Sequence, residues 1–354
     1  MKTGIKKRSL SLAVFCTVLV LTAFSAFADN AGSAEADLSE TGAAENAAVA
    51  ALAEENGKPA AESQKRGPGA PMHERTNNFD EEPELAGGEI RFLENRGSIG
   101  QQLSAVIQSS DGHLVVVDGG QPDDDLHLLQ TILEKGGRVD AWLITHPQTD
   151  HVGALTEILD KHSNDIRIDG FYYNFAELSW YQKADPDEFG AVWVLTEQLR
   201  SKGEGRLHDR MEAGDEVRIS DILSFRVLNS PVLTDGAYAV NSSGLMYDIC
   251  VNGKHLIILG DMGEQVGDDL MNAGILEGIT ADYVQMSHHG QDGVSEAFYR
   301  RLQPENCIWP TTDWIYYAGL MNRSGLKTAL VKGWISRLPV KYNYVTIGDD
   351  VIIR

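Results

Sequence analysis

Four apolar segments that each run into an aspartate or a histidine constrain the fold of this chain more than any other feature. These mostly apolar segments cover residues 114–117, 139–144, 256–259 and 284–286, and Asp140 and Gln285 are their polar members. At or just after their ends stand Asp118, His146, Asp261 and His288. Because α/β proteins place their sites at the C-terminal ends of strands, these four side chains are predicted to share one site.

The order of the elements predicts the fold class. Strands alternate with helices at first, including a helix over residues 152–162. A block of four strands without helices follows, over residues 216–219, 223–228, 245–251 and 255–259, and then strands with helices return. Residues 342–347 and 351–353 resemble a hairpin turned at Gly348 and Asp349. We therefore expect an α/β (α+β) fold, a four-layer αβ/βα sandwich of two mixed sheets with helices on the outer faces.

The first 28 residues have the pattern of a secretory signal peptide. A start with four basic residues precedes an apolar run at residues 10–24, and Ala26 and Ala28 are small residues at the spacing of a cleavage site. An uncut membrane anchor is the alternative, but the run is shorter than the roughly 20 residues that span a bilayer. The mature chain is therefore expected to be secreted or extracytoplasmic, without a transmembrane helix.

Composition divides the rest of the chain in two. Residues 29–87 are rich in Ala and Glu, with 13 acidic residues against four basic ones, which predicts a disordered linker. Residues 88–354 are predicted to form one folded domain. From residue 89 onward, 39 acidic residues oppose 22 basic ones, so stable binding to nucleic acid is not expected. A phosphoester substrate is still compatible, because a bound metal ion is itself a local positive charge.

Cysteine is too scarce for a disulfide scaffold or a cysteine-rich zinc module. After removal of the signal peptide only Cys250 and Cys307 remain. They pair or stay as buried thiols, and the sequence leaves both possibilities open.

The sequence of residues 145–153, THPQTDHVG, follows an apolar strand and leads into a helix. It places His146, Asp150 and His151 within six residues. Imidazole and carboxylate in this proportion suit Zn²⁺, with Mn²⁺ or Fe²⁺ as alternatives.

The order of these motifs resembles that of the metallo-β-lactamase-fold superfamily, and within it the hydrolase domains of DNA-uptake competence proteins. The resemblance extends over residues 89–354. It depends on the 145–153 motif, on Asp118 followed by two glycines, on Asp261 after Gly260, and on the pair His288 and His289 before Gly290.

The resemblance implies a role for each of these residues. His146 would bind a first metal ion, Asp150 and His151 a second, and Asp261 both. One of His288 and His289 would complete the second site, and the other would donate a proton or stabilise an oxyanion. Asp118 would support the ligands through hydrogen bonds.

Two positions depart from the superfamily pattern. Gln148 stands where the signature usually has a histidine, and residues 240–244 offer Asn241 and no histidine. Gln148 is therefore a candidate ligand and Asn241 a supporting residue. Because neutral amides bind divalent metals less well than imidazole or carboxylate, we expect one tight ion and one weak or absent ion.

The resulting functional hypothesis is a secreted, metal-dependent hydrolase. Asp150 would orient an activated water, and His288 or His289 would assist the leaving group. Phosphoesters are the expected substrates, small or polymeric, of the phosphodiester, nucleic-acid or surface phosphocholine type. Hydrolysis of a lactone, thioester or β-lactam is one alternative, and a non-catalytic binding module with a decayed first site is another. The sequence does not indicate an oligomeric state.

Overall fold

The computed structural model describes residues 72–75, 85–97, 100–236, 238–318 and 325–354. The predicted signal peptide and most of the predicted linker lie outside these ranges. In the described residues no helix is long and apolar enough to cross a bilayer.

The strands fall into two large sheets and one small one. In chain order they are β1 Met72–Arg75, β2 Glu89–Phe92, β3 Ser104–Gln108, β4 Leu114–Asp118, β5 Arg138–Val139, β6 Ala141–Leu143, β7 Arg167–Ile168, β8 Phe171–Tyr172, β9 Leu207–His208, β10 Glu216–Arg218, β11 Leu223–Val227, β12 Tyr247–Val251, β13 Lys254–Ile258, β14 Tyr283–Gln285, β15 Asn306–Trp309, β16 Tyr342–Val345 and β17 Val351–Ile353.

The helices lie between strands along the chain. They are α1 Asp125–Glu134, α2 Thr149–Lys161, α3 Leu178–Ala184, α4 Phe189–Lys202, α5 Ala239–Ser242, α6 Glu264–Asn272, α7 Glu296–Leu302, α8 Asp313–Tyr316 and α9 Thr328–Ile335, with 3₁₀ turns at Pro122–Asp124 and Ser287–Gly290.

Both large sheets are mixed. The eight-stranded sheet has the order β1-β16-β15-β14-β13-β12-β11-β10, and the seven-stranded sheet has the order β17-β2-β3-β4-β6-β8-β9. Strands β10 to β13 are successive antiparallel neighbours, which confirms the four predicted strands. The expected absence of helices between them is wrong, because the short helix α5 lies between β11 and β12. Strands β13 to β16 run parallel in one sheet, and β4, β6, β8 and β9 run parallel in the other.

The alternation of side chains along the strands builds the layers. In β4, Val115 and Val117 are buried in the core between the two sheets, whereas Leu114 and Val116 are buried against helices. Successive strand residues point to opposite faces, so a strand buried on both sides is apolar throughout. This pattern explains why residues 114–117 of β4 form a continuous apolar run.

Helices cover the outer face of each sheet. Apolar residues of α1, α2 and α4 pack on the seven-stranded sheet, and those of α6, α7 and α9 pack on the eight-stranded sheet. The predicted four-layer αβ/βα sandwich is therefore confirmed.

The predicted C-terminal hairpin is wrong. Strand β16 lies beside β15 in the eight-stranded sheet, and β17 lies beside β2 in the seven-stranded sheet. The connection crosses between the sheets because Asp350 is bound on the far side: its Oδ1 accepts the Glu94 N–H at 3.0 Å and lies 2.8 Å from His127 Nε2. Local turn chemistry predicted the bend correctly but not the partners of the two strands.

One strand lies inside the segment predicted as linker. Strand β1 pairs antiparallel with β16, with Met72 opposite Val345 and Arg75 opposite Tyr342. Residues 72–75 of the predicted linker therefore pair with a strand of the folded domain. A short strand in a polar segment was missed because its pairing depends on the free edge of β16, which is distant in sequence.

Cys250 and Cys307 are free thiols. They lie in β12 and β15, and two other strands separate these in the sheet. The open question of their pairing is thereby answered for this structure.

Candidate metal centre

The site lies at one edge of the sandwich, where the ends of two pairs of parallel strands meet. Asp118 ends β4 and His146 follows β6 in the seven-stranded sheet; Asp261 follows β13 and His289 follows β14 in the eight-stranded sheet. The carboxyl ends of parallel strands share an edge, so side chains far apart in sequence converge there.

Helix α2 begins three residues earlier than predicted, at Thr149. Asp150 and His151 therefore lie in its first turn, where the helix dipole favours a negative charge. The backbone carbonyl oxygens of Asp150 and His151 accept hydrogen bonds from the N–H groups of Leu103 and Gly120, at 3.0 Å each. These contacts fix the start of the helix against the seven-stranded sheet.

Asp118 organises the base of the site from a fully buried position. Its Oδ1 accepts the Thr145 N–H at 2.7 Å, and its Oδ2 accepts the Thr145 hydroxyl at 2.7 Å. The Nδ1 atom of His151 lies 2.8 Å from the same Oδ2. Burial raises the pKa of Asp118, while the hydrogen bonds from His151 and Thr145 act in the opposite direction. The supporting role predicted for Asp118 corresponds to these contacts.

Three imidazoles are held through Nδ1, which leaves each Nε2 directed into the site. His151 Nδ1 faces Asp118, His289 Nδ1 lies 2.9 Å from the Pro310 carbonyl oxygen, and His146 Nδ1 lies 3.0 Å from Thr145 Oγ1. Outer hydrogen bonds of this kind fix the tautomer and the ring orientation of metal-binding histidines.

The Nε2 atoms and two carboxylates meet at short range. His151 Nε2 lies 3.2 Å from Asp261 Oδ1, and His289 Nε2 lies 3.3 Å from Asp150 Oδ2 and 3.4 Å from Asp261 Oδ2. Within the described part of the chain, His151 Nε2, His289 Nε2 and Asp261 Oδ1 are buried without a hydrogen-bond partner. Such orphaned polar atoms are costly unless a further group binds them.

These residues fit a divalent metal ion. Two ligand atoms bound to one ion lie roughly 3.0 Å apart in octahedral and 3.4 Å apart in tetrahedral geometry. Potential ligand atoms of His146, His151 and Asp261 lie within 4.8 Å of one another, and so do those of Asp150, His151 and His289. His151 belongs to both groups, and Asp261 of the first group lies 3.4 Å from His289 Nε2 of the second.

The pKa values reflect the close packing of charge. Burial alone would lower the pKa of His151 and of His289, but Asp261 and Asp150 raise the first well above its usual value and the second to about 9. Burial and the neighbouring His151 lower the pKa of His146 to about 3. The imidazoles of His151 and His289 therefore hold protons tightly without metal, and metal binding here must release them.

The two neighbouring histidines adopt a left-handed backbone, with φ of 48° at His288 and 55° at His289. The prediction assumed a strand end, where neighbours point to opposite faces; a 3₁₀ turn is found instead. His289 is fully buried among the carboxylates. His288 Nε2 lies farther out, 3.7 Å from Asp261 Oδ2, and its ring contacts that of Tyr238 edge to face. The geometry selects His289 as the candidate ligand and places His288 at the pocket.

The two amide positions are also part of the site. Gln148 Oε1 lies 3.0 Å from His146 Nε2, and Gln148 Nε2 donates to Asp185 Oδ2 at 3.2 Å. Asn241 Nδ2 donates to Asp261 Oδ2 at 3.3 Å, so Asn241 contacts a candidate ligand as a supporting residue does.

No local pattern in the sequence indicated the acidic residues beside the signature loop, residues 145–153. Asp185 and Glu188 lie between α3 and α4, two helices that were not predicted. Glu188 Oε2 accepts the backbone N–H of Thr149 at 3.2 Å and the hydroxyl of the same residue at 2.5 Å. An acidic turn near a proline is typical of a solvated loop, so no local signal could have revealed these contacts.

A pocket of about 370 Å³ opens above the metal ligands. Four amides surround it, together with acidic side chains and one exposed aromatic ring, Tyr238. None of the described residues that line it is Lys or Arg. A compact ligand fits this volume.

Buried imidazoles and carboxylates between two sheets of an αβ/βα sandwich define a metal-binding protein with an open, pocket-facing centre. The family model of the metallo-beta-lactamase superfamily matches residues 97–277, more than half of the chain, and the chain belongs to this superfamily. Its members are generally metal-dependent hydrolases, so a divalent metal is implied.

Three solved structures are similar to this chain at low sequence identity. The metallo-beta-lactamase fold protein YhfI from Bacillus subtilis is 12% identical, with a TM-score of 0.44 over 75% of this chain and 98% of that one. A diphosphatase from the PhnP family is 15% identical, with a TM-score of 0.38 over 67% and 86% of the two chains. A B3 metallo-beta-lactamase with an active-site glutamic acid is 13% identical, with a TM-score of 0.38 over 60% and 86%. No curated protein sequence matches the chain.

Proposed function

We propose that this protein is an exported, metal-dependent hydrolase that cleaves small phosphoesters. The observation that carries the proposal is that three imidazoles and two aspartates form two adjoining groups of candidate ligands, with buried atoms left without partners. A structural role alone would have satisfied those atoms within the protein.

A divalent ion in this centre would supply an activated water and polarise the scissile group. Asp150 is the candidate residue to orient the attacking water, because its carboxylate faces both His289 and the pocket. Its side chain is 17% exposed, whereas Asp261 at 2% is enclosed. The exposed carboxylate oxygen of Asp150 can therefore reach substrate as well as ligands.

His288 is the candidate partner of the leaving group. It lines the pocket, its side chain is 13% exposed, and its Nε2 points toward the same Asp261 carboxylate as the ligands. Burial lowers its pKa, which favours a neutral imidazole that donates a hydrogen bond to developing charge.

The pocket favours a compact substrate over a polymer. Its volume of about 370 Å³ suits a small molecule. A nucleic acid would need a surrounding basic surface, whereas the chain from residue 89 carries 39 acidic and 22 basic residues.

The first experiment measures metal content and turnover together. Protein loaded separately with Zn²⁺, Mn²⁺ or Fe²⁺ is assayed with bis(p-nitrophenyl) phosphate, a lactone and nitrocefin. We expect hydrolysis of the phosphodiester and its loss in Asp150→Asn. Turnover of the lactone or nitrocefin alone would establish the alternative bond type, and bound metal without turnover of any substrate would favour the binding module.

Export, zinc and the likeness to competence hydrolases are parts of this proposal. The charged start, the short apolar run and Ala28 support cleavage after residue 28. Imidazole ligands support zinc, and the four motifs in order support the competence likeness. Sequencing of the exported protein should begin at or near Asp29, and an uncut chain retained in the membrane would contradict export.

A further inference from the structure

The amide of Gln148 has a hydrogen-bond conflict that the protein alone does not resolve. Its two ends are held by different partners: Oε1 lies 3.0 Å from His146 Nε2, and Nε2 lies 3.2 Å from Asp185 Oδ2. The position of the hydrogen on His146 decides whether the first contact is attractive.

That hydrogen is assigned by the neighbouring Thr145. Its hydroxyl lies 2.7 Å from the Asp118 carboxylate, which only accepts, so the Thr145 hydrogen points there. Thr145 Oγ1 can then only accept from His146 Nδ1, at 3.0 Å. A neutral imidazole has one N–H, so His146 Nε2 carries a lone pair.

Neither orientation of the Gln148 amide satisfies both neighbours. As placed, its carbonyl oxygen faces the lone pair of His146 Nε2, and two acceptors meet. A rotation by 180° would place that oxygen against the carboxylate of Asp185, and two acceptors would meet there instead.

A cation between His146 Nε2 and Gln148 Oε1 removes the conflict, and their separation suits two ligands of one ion. We propose that Gln148 Oε1 is a ligand of the first metal ion and that Asp185 is the positioning residue that turns this oxygen toward the ion. The inference depends on the metal centre of the proposed function but not on its substrate.

The segment between α3 and α4 is built to hold this orientation. Asp185 Oδ1 accepts the Glu188 N–H at 3.3 Å, and Glu188 in turn binds the backbone and hydroxyl of Thr149, the residue after Gln148. Two consecutive residues of the signature loop are thus held by one acidic turn. Outer contacts of this type typically change metal affinity by about 10- to 100-fold.

The ligand set also predicts a difference in metal preference. The first ion would have one imidazole, one amide oxygen and the shared Asp261, whereas the second would have His151, His289 and two carboxylates. Amide and carboxylate oxygens suit Mn²⁺ better than they suit the softer Zn²⁺. The first site should therefore discriminate against Mn²⁺ less strongly than the second.

Calorimetric titration of the metal-free mature protein with Zn²⁺ and with Mn²⁺ tests the proposal, and the visible spectrum of the Co²⁺-loaded protein provides a second readout. Gln148→Leu keeps the side-chain volume but lacks the oxygen. It should lower the affinity for the more weakly bound ion about 10-fold or more and leave the affinity for the tightly bound ion unchanged. Asp185→Ala should do the same. The double variant should bind this ion as tightly as Gln148→Leu does, because Asp185 acts through Gln148.

Two controls keep the result interpretable. Asp187→Ala removes an exposed charge from the same turn and should titrate as the parent protein does. Gln148→His should tighten Zn²⁺ binding at the first site even with Asp185→Ala present, which shows that the loop still folds.

Unchanged affinities in Gln148→Leu would overturn the assignment of this ligand. A further loss from Asp185→Ala in the Gln148→Leu background would show that Asp185 has only a structural role. If the titrations follow expectation while none of the substrates is cleaved, the proposed function fails and this inference stands.

Discussion

At the scale of single residues, backbone conformation decides which of two adjacent histidines reaches the metal centre. The sequence identified His288 and His289 as a pair but could not separate them, because alternation along a strand was the only rule available. Two successive left-handed residues replace that strand, stabilised in part by the His288 N–H bond to the Gly260 carbonyl oxygen at 3.0 Å. Such a conformation is strained for non-glycine residues and is common at functional sites.

The two histidines should therefore respond differently to substitution. His289→Ala removes a buried candidate ligand and should lower the affinity for the tightly bound ion by about 100-fold or more. Loss of a residue that only hydrogen-bonds to a ligand can already reduce metal affinity by that factor. His288→Ala should keep both ions and lower kcat by roughly 10²-fold, as expected for the loss of a positioned proton or hydrogen-bond donor. Metal titration alongside kinetics separates the two, and loss of the tighter ion in His288→Ala would reverse the assignment.

At the scale of elements, apolar periodicity predicted the strands and their polar ends, because burial on both faces leaves a strong pattern. Strand partners were predicted less well, since they depend on distant surfaces. The failed hairpin between β16 and β17 and the missed strand β1 share this cause. Asp185 and Glu188 were missed for a related reason, because their contacts join segments that are more than 30 residues apart.

Strand β1 gives a prediction about truncation. A mature chain that begins at residue 70 keeps β1, whereas one that begins at residue 77 loses its pairing along β16. We expect the shorter chain to be less stable by about 1–2 kcal/mol, the size of a few net hydrogen bonds, and to melt several degrees earlier. Equal melting temperatures of the two truncated chains would show that β1 adds nothing to the fold.

Glu89, the first residue of β2, joins three elements. Its carboxylate lies 2.7 Å from Lys135 after α1 and 2.8 Å from Arg354 after β17, and it contacts Arg91 at 3.1 Å. Burial alone would raise the pKa of Glu89, but hydrogen bonds from Lys135 and Arg354 and the charge of Arg91 bring it below its usual value of 4.5. The ionised form is therefore the one that stabilises the fold.

Glu89→Gln should lower the free energy of unfolding by about 2 kcal/mol at neutral pH. A lowered folded pKa means that the stabilisation is complete above about pH 4.5 and is lost as the pH falls through the folded pKa. Urea unfolding of both proteins at pH 7 and pH 3 should show the difference shrinking in acid. The exposed Glu177→Gln serves as the control, and a difference that persists unchanged in acid would argue against an ionic origin.

At the scale of the whole molecule, excess negative charge opposes anionic substrates before they reach the pocket. The chain from residue 89 has 17 more acidic than basic residues. The composition alone revealed this excess of negative charge, whereas the pocket could be located only in the structure. Salt screens such long-range repulsion within about 10 Å at 0.1 M ionic strength.

For a phosphodiester substrate, kcat/KM should accordingly rise about two- to tenfold between 10 mM and 150 mM salt. An uncharged ester assayed under the same conditions should show little change. A steep fall in kcat/KM with salt would instead indicate attraction of the substrate by basic side chains and would contradict this prediction.

The candidate ligands come from both sheets, with His146, Asp150 and His151 on one side and Asp261 and His289 on the other. Neither half of the chain alone carries a complete ligand set, so the unfolded chain has no preformed site. Loading with metal must therefore follow folding. A chain exported unfolded would cross the membrane empty and would take its ions from the medium outside, so the metal it carries would reflect that medium rather than the interior of the cell.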